Sequence, residues 1–225
     1  MFRIKLTIVL LFFSAALLAQ ERKTDFGSAF SVELKKRFGG KFDISLEEEL
    51  RLSTNNNGGF DRWTNTVGVD YLIIRRKLKA GMYYCYYRMY NSNNYYENRN
   101  RYYLILQYRE TFGRYTVTWR GRLQGTNRNE ERGEYRINPK NVLRNKFEIE
   151  YSIPGSPYNP YFFTETTNTI NDPFGNEIYK LRFQGGVVKR LERTADLELF
   201  FRWNEYLVMP DPRVMVIGIG YRKSL

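Results

Sequence analysis

The stretch KFDISLEEELRLS, residues 41–53, alternates apolar and polar side chains with one exception. Its apolar residues fall on even numbers, and only Glu48 interrupts their row: Phe42, Ile44, Leu46, Leu50 and Leu52. A period of two is typical of a β-strand with one apolar face and one polar face. In a soluble sheet the apolar face covers a core, whereas in a membrane barrel it faces lipid. The stretch therefore decides the fold once its faces are assigned.

The same period and the intervening turn signals predict eleven strands. They lie near 26–38, 41–54, 62–75, 78–90, 101–112, 115–126, 142–153, 159–167, 177–189, 195–204 and 214–222. The connections between them are alternately short and long, which is the layout of hairpins with tight turns at one rim and long loops at the other. The sequence thus predicts an all-β fold, an antiparallel up-and-down transmembrane β-barrel of about 10–12 strands with a polar, charged lumen.

A count of eleven conflicts with the even strand number expected for a bacterial single-chain barrel. Two explanations are open at the sequence level. Either one segment is split wrongly, around Glu134 to Ile137, or the first segment does not span the membrane.

The face assignment follows from the cost of placing charges in lipid, about 2–4 kcal/mol for each Arg or Lys near the midplane. We therefore expect the charged row of each strand to face the lumen and to form cross-strand ion pairs. The predicted lumen network comprises Asp43, Glu47, Glu49, Arg51, Arg120, Arg122, Arg144, Lys146, Glu148, Glu150, Lys180, Arg182, Glu198 and Arg202. The predicted lipid-facing or girdle residues are Phe38, Phe42, Trp63, Phe112, Tyr115, Trp119 and Trp203.

The N-terminus has the features of a secretory signal peptide. Arg3 and Lys5 precede the apolar stretch Leu6 to Leu18, and Ala19 is a small residue suited to cleavage. The prediction is a cleaved signal peptide at 1–19, a barrel domain at 20–225, export through the periplasm and location in the outer membrane. The expected partners are outer-membrane lipid, lipopolysaccharide and, during biogenesis, the barrel-assembly machinery.

Composition constrains the function. The chain holds 36 Lys and Arg against 24 Asp and Glu, but these charges alternate along strands instead of clustering, so no nucleic-acid partner is expected. The lone Cys85 cannot form an internal disulfide and is interpreted as packing. There is no histidine, which excludes a Ser-His-Asp site and a His-ligated zinc site. No metal and no cofactor are expected.

Several stretches resemble a family of small outer-membrane β-barrels of Gram-negative bacteria that is known as a domain of unknown function. They are KKRFGGKFDISLEEELRL at 35–52, RYYLILQYRETFGRYTVTWRGRLQ at 101–124, FEIEYSI at 147–153 and PYFFTET at 160–166. The resemblance covers nearly all of the chain after the signal peptide. It implies a barrel fold and an outer-membrane location, and it carries over no catalytic residues.

Three functions are compatible with the sequence. The first is a structural barrel or narrow pore, anion-biased because its lining holds more Arg and Lys than Asp and Glu. The second is a barrel enzyme acting on envelope lipid or glycan through a carboxylate pair, Glu47 with Glu49 or Glu148 with Glu150; nearby arginines disfavour it, since a general acid needs a raised pKa. The third is a soluble periplasmic barrel that binds an apolar ligand against Phe42, Ile44 and Leu46.

Overall fold

The computed structural model describes residues 24–54, 59–90, 95–128, 137–173, 175–207 and 213–225. The predicted signal peptide lies outside these ranges. The strands are β1 Thr24–Phe38, β2 Phe42–Ser53, β3 Phe60–Ile74, β4 Leu78–Tyr90, β5 Tyr96–Phe112, β6 Tyr115–Arg128, β7 Lys140–Tyr151, β8 Tyr158–Thr169, β9 Ile178–Glu192, β10 Ala195–Tyr206 and β11 Arg213–Ser224. Within the described ranges no helix has the length and apolar character needed to cross a membrane.

The strands form one closed barrel in which each is paired with its neighbours in sequence, and β11 returns to β1. The predicted all-β barrel is confirmed, and each of the eleven predicted segments corresponds to one strand. The connections alternate in length as predicted. We call the barrel end with the short β1–β2, β3–β4, β5–β6, β7–β8 and β9–β10 turns the tight-turn rim, and the other end the long-loop rim.

The barrel closes through a parallel pair. β1 lies parallel to β11 from Thr24 opposite Arg213 to Lys35 opposite Ser224, while every other pair is antiparallel. The sheet is therefore mixed at this one pair and not wholly antiparallel, and the count of eleven strands holds although bacterial barrels usually have an even number. A parallel ladder satisfies the backbone hydrogen bonds of both terminal strands, so an odd number of strands can close without leaving an edge.

Neither sequence-level explanation of the odd count is needed. The first segment is a full strand of 15 residues that pairs with β2 on one side and β11 on the other. Residues 134–136, where a wrong split was suspected, lie outside the described residues. The flanking strands β6 and β7 pair directly with each other, from Tyr115 opposite Tyr151 to Thr126 opposite Lys140.

The two faces of the sheet have opposite polarity, and the apolar face is outside. In β2, Phe42, Ile44 and Leu46 are each at least 40% exposed, while Asp43 in the same strand is 2% exposed. Apolar side chains are exposed in the same way on all eleven strands. This contradicts the soluble alternative, which required these three side chains to line an interior.

Aromatic side chains inside the barrel pack over glycines of neighbouring strands. The Tyr83 ring covers Gly68, the Tyr161 ring covers Gly186 and the Phe200 ring covers Gly218, so that a Cβ at any of these glycines would overlap the ring. Glycine in a strand is a common sign of such close approach. These contacts let large rings lie flat along the wall and leave the centre of the lumen to the charged side chains.

Candidate functional site

The candidate site is the charged interior of the barrel. All fourteen residues of the predicted lumen network occupy inward-facing positions of their strands. Their partners, however, differ in part from the expected ones, because several of the predicted cations converge on a carboxylate that the sequence analysis did not single out.

That carboxylate is Glu165 in β8, which is 2% exposed. A nitrogen of Arg120 lies 3.1 Å from one carboxylate oxygen, and one of Arg182 lies 3.5 Å from the other. Arg144 donates a hydrogen bond to the same group. Three guanidinium groups from β6, β7 and β9 thus share a single negative charge. A buried carboxylate without partners would carry a large desolvation cost. The three guanidinium groups offset this cost for Glu165.

A second cluster lies nearer the tight-turn rim and joins β1, β2, β3 and β4. Asp43 accepts a hydrogen bond from Arg37 at 2.6 Å and pairs with Lys35 at 3.0 Å. Asp70 pairs with Lys79 at 2.6 Å and accepts a hydrogen bond of the same length from the Tyr83 hydroxyl. Here each carboxylate has at least one cation of its own, and three cations face two carboxylates.

A third chain of contacts crosses from β8 to β2. The Tyr161 hydroxyl donates to Glu198 and accepts a hydrogen bond from Gln184 at 2.6 Å. Arg202 in turn donates to the Gln184 side-chain oxygen at 2.7 Å and lies 3.6 Å from Glu49. This chain fixes the positions of Glu198, Arg202 and Glu49.

Other cations lie against aromatic rings instead of carboxylates. The Arg122 guanidinium lies 4.1 Å from the Tyr103 ring centroid, and its buried Nε has no hydrogen-bond partner among the described residues. Lys180 lies over the Tyr206 ring and donates to its hydroxyl at 3.1 Å. Cation–π contacts of this kind offset part of the desolvation cost without neutralising the charge.

The remaining predicted residues form short-range pairs. Lys146 pairs with Glu148 at 2.6 Å, both in β7. Glu150 accepts a hydrogen bond from the amide of Asn159 at 2.9 Å, and Arg51 lies 3.4 Å from Asp61. We define the basic cluster as the inward residues of β6 to β9 around Glu165: Arg120, Arg122, Arg144, Lys146, Lys180 and Arg182, with the carboxylates of Glu148 and Glu165. Positive charge is in excess there.

A cavity of about 100 Å³ lies in the lumen beside β10, β11, β1 and β2. Five carboxylates border it, against two guanidinium groups: Glu33, Glu47, Glu49, Asp196, Glu198, Arg202 and Arg222. Glu47 is exposed to this space and makes no ion pair with a described residue. Asp196 and Arg222 lie near the strand ends at the tight-turn rim, so this acidic cavity occupies that half of the barrel.

The predicted lipid-facing residues occupy outward positions. Phe38, Phe42, Phe112 and Tyr115 flank two of the tight turns and are exposed. Trp63 and Trp203 are exposed near the long-loop ends of β3 and β10, and Trp119 lies on the outer face midway along β6. Aromatic side chains therefore lie on the outer wall near both rims.

The described residues contain no group of three His, Cys, Asp or Glu side chains arranged to hold a metal ion. Cys85 faces inward, is buried and packs in a cluster with Tyr87, Tyr103 and Ile105.

Sequence reasoning missed Glu165, Asp70 and Tyr161. The signal for Glu165 was present, because it is the one charged residue in the predicted strand at 159–167 and shares its parity with Phe163 and Thr167, which are buried. What the sequence could not supply is the convergence of three strands on it, since that depends on the register of the pairs and the curvature of the wall.

The sequence model of a family described as "Protein of unknown function (DUF2490)" matches residues 26–206, which covers the chain from β1 to the end of β10. The chain belongs to this family. Among curated proteins none matches it. A crystal structure of the β-domain of the Bordetella autotransporter BrkA is similar in part, with 12% sequence identity, coverage of 80% of this chain and 82% of that chain, and a TM-score of 0.45. The DUF2490 match agrees with the predicted membership of a barrel family of unknown function.

Proposed function

We propose that this protein is an outer-membrane barrel whose lumen is closed to large solutes by its charged side chains and passes small ions, anions in preference to cations. The apolar outer wall supports insertion into a bilayer, since Phe42, Ile44 and Leu46 are each at least 40% exposed on it. Aromatic side chains near both rims are typical of the two lipid interfaces.

The proposed ion preference is based on one observation, that three guanidinium groups share the single carboxylate of Glu165. In the basic cluster six cations face two carboxylates, and Arg122 and Lys180 make no ion pair with a described residue. Rings of charged side chains are a general source of ion selectivity in channels. A positive constriction lowers the energy of an anion that passes and raises that of a cation.

In this proposal the barrel is not an enzyme. Lys146 pairs with Glu148, and Asn159 donates to Glu150, so this pair is engaged with neighbouring groups. Glu49 is 3.6 Å from Arg202. The partners that we propose are the lipids of the membrane, including lipopolysaccharide, and the assembly machinery that inserts barrels.

Planar-bilayer recording tests the proposal. In a salt gradient the purified protein should give small conductance steps with a reversal potential displaced toward the anion. Arg122→Gln should reduce the anion preference at least about twofold, because it removes an unpaired lumen charge. Arg88→Gln, which removes a charge from the outer wall, should leave it unchanged. A cation preference, or the absence of any conductance, would overturn the proposal.

A further inference from the structure

Cations collect at the tight-turn rim. Lys36 is exposed on the outer face of β1, Lys41 is exposed in the first turn, and Arg75 and Arg76 are exposed in the turn between β3 and β4. We call these four residues the rim patch. The two turns are adjacent, because the backbone N–H of Leu72, at the end of β3, donates to the Lys41 carbonyl at 2.8 Å.

The charges of the rim patch are not neutralised. No described carboxylate pairs with any of the four residues. The Lys36 Nζ lies over the Phe38 ring, 5.4 Å from its centroid, and this contact does not neutralise the charge. Two other cations on the same rim have carboxylate partners. Lys77 is 2.9 Å from Glu110, which raises the pKa of the Lys77 amine, and Lys223 is 3.0 Å from Glu192.

The alternation of side chains along β1 separates Lys36 from the lumen. Lys35 and Arg37, on either side of Lys36, point inward and both pair with Asp43. Lys36 takes the opposite face, where the next outward residues along the strand are apolar. Below the patch, the Phe42 and Tyr71 rings pack together 5.2 Å apart on the outer wall. A cation directly beyond an aromatic residue on a lipid-facing wall lies at the depth of the lipid headgroups.

The described part of the long-loop rim differs. Its outward Arg213 is paired with Glu205 at 2.9 Å, and Arg88 lies over the Tyr96 ring, 5.0 Å from its centroid. Among the described residues, and Arg88 apart, the outward cations without a carboxylate partner therefore lie at the tight-turn rim, the end that a bacterial barrel places in the periplasm. The leaflet there consists of glycerophospholipids, whereas lipid A occupies the other leaflet.

We infer that the rim patch binds the phosphate of anionic glycerophospholipids in the leaflet at the tight-turn rim. The inference rests on membrane insertion, as does the proposed function, but not on ion conduction. Lys and Arg near a bilayer surface attract anionic lipid, and Arg can bind a phosphate with two nitrogens. Two adjacent turns supply both cation types at the same depth.

Native mass spectrometry of the full-length protein in uncharged detergent tests this, with short-chain phosphatidylglycerol and phosphatidylcholine as probes. Phosphatidylglycerol should bind more tightly, and Lys41→Gln with Arg75→Gln should weaken it about fivefold for each cation removed. Arg88→Gln is the matched control and should bind as the unmodified protein does. A heat-modifiability gel verifies that each variant is folded. If the double variant does not fold, Lys36→Gln replaces it in the binding measurement.

Three results would overturn the inference. They are equal affinity for the two phospholipids, a loss in Arg88→Gln as large as in the double variant, or tighter binding of lipid A that depends on the rim patch. Conductance of the same double variant separates this inference from the proposed function. A barrel that conducts but shows no preference for phosphatidylglycerol contradicts the lipid inference alone.

Discussion

Glu165 is the single acceptor for three guanidinium groups, and its removal should affect stability strongly. In Glu165→Gln the side chain keeps its shape but loses its charge, which leaves Arg120, Arg144 and Arg182 without an anion. Removing one partner of a buried ion pair typically costs about 3–5 kcal/mol. Urea unfolding of the protein in lipid vesicles, followed by tryptophan fluorescence, measures the change.

Glu110→Gln is the matched control for this substitution. Glu110 is paired with Lys77 at the surface, so its replacement should change the unfolding midpoint little. Equal effects of the two substitutions would contradict the central role of Glu165.

Glu48 is the one residue that breaks the apolar row of the opening stretch, and the structure places it on the outer wall. It is exposed and accepts a hydrogen bond from the Asn65 amide at 3.2 Å. A carboxylate in lipid is unfavourable, so Glu48→Leu should stabilise the bilayer-inserted barrel by about 1–2 kcal/mol. Glu47→Leu places the same side chain in the acidic cavity and should give no such gain; vesicle unfolding compares the two.

Alternation along each strand predicts which face a residue occupies, and the structure has the fourteen residues of the predicted lumen network at inward positions. It does not predict partners. The pairing of Lys146 with Glu148 is local and could be anticipated, but the contacts of Glu165 join residues 21 and 45 positions apart in sequence. Those depend on how strands are registered and how strongly the wall curves, which a one-dimensional pattern does not contain.

At the scale of the elements, the fit of aromatic rings on glycines links neighbouring strands. Gly218→Val should push the Phe200 ring away from the wall and reduce the yield of folded barrel. Gly185→Ala is the matched control, because a Cβ there meets its nearest neighbours at an ordinary 3.9 Å. Folded yield on a heat-modifiability gel measures both, and a normal yield for Gly218→Val would argue against the packing described.

The parallel closure is the feature of the sheet that sequence reasoning failed to predict. Both terminal segments were predicted as strands. The rule that bacterial barrels have an even number of antiparallel strands left no place for a parallel pair between them. Cross-linking tests the closure. Val32→Cys with Tyr221→Cys places two thiols on paired outward positions, and a short bis-thiol reagent should join them efficiently.

An out-of-register pair provides the comparison for the cross-link. Val32→Cys with Ile217→Cys separates the thiols by four further residues along β11, so the same reagent should join them poorly. More efficient joining of the second pair would contradict the register of β1 and β11.

At the scale of the whole molecule, strand number, loop alternation and the two faces of the wall could all be read from the sequence, because each is a repeated local pattern. The distribution of charge within the lumen could not. The basic cluster on β6 to β9 and the acidic cavity beside β10, β11, β1 and β2 arise only when the sheet is rolled and these strands face each other. The composition shows only an overall excess of basic residues, which does not reveal that basic and acidic side chains occupy different parts of the lumen.

The central claim is that the apolar side chains contact lipid while the charged side chains are enclosed. Spin labels on single cysteines at successive positions from Tyr115 to Leu123, with Cys85 replaced by Ala, test it in reconstituted vesicles. Collision rates with oxygen, which partitions into lipid, should be high at odd positions such as Val117 and low at even positions such as Thr118. High rates at the even positions, or rates typical of water at the odd ones, would contradict the account.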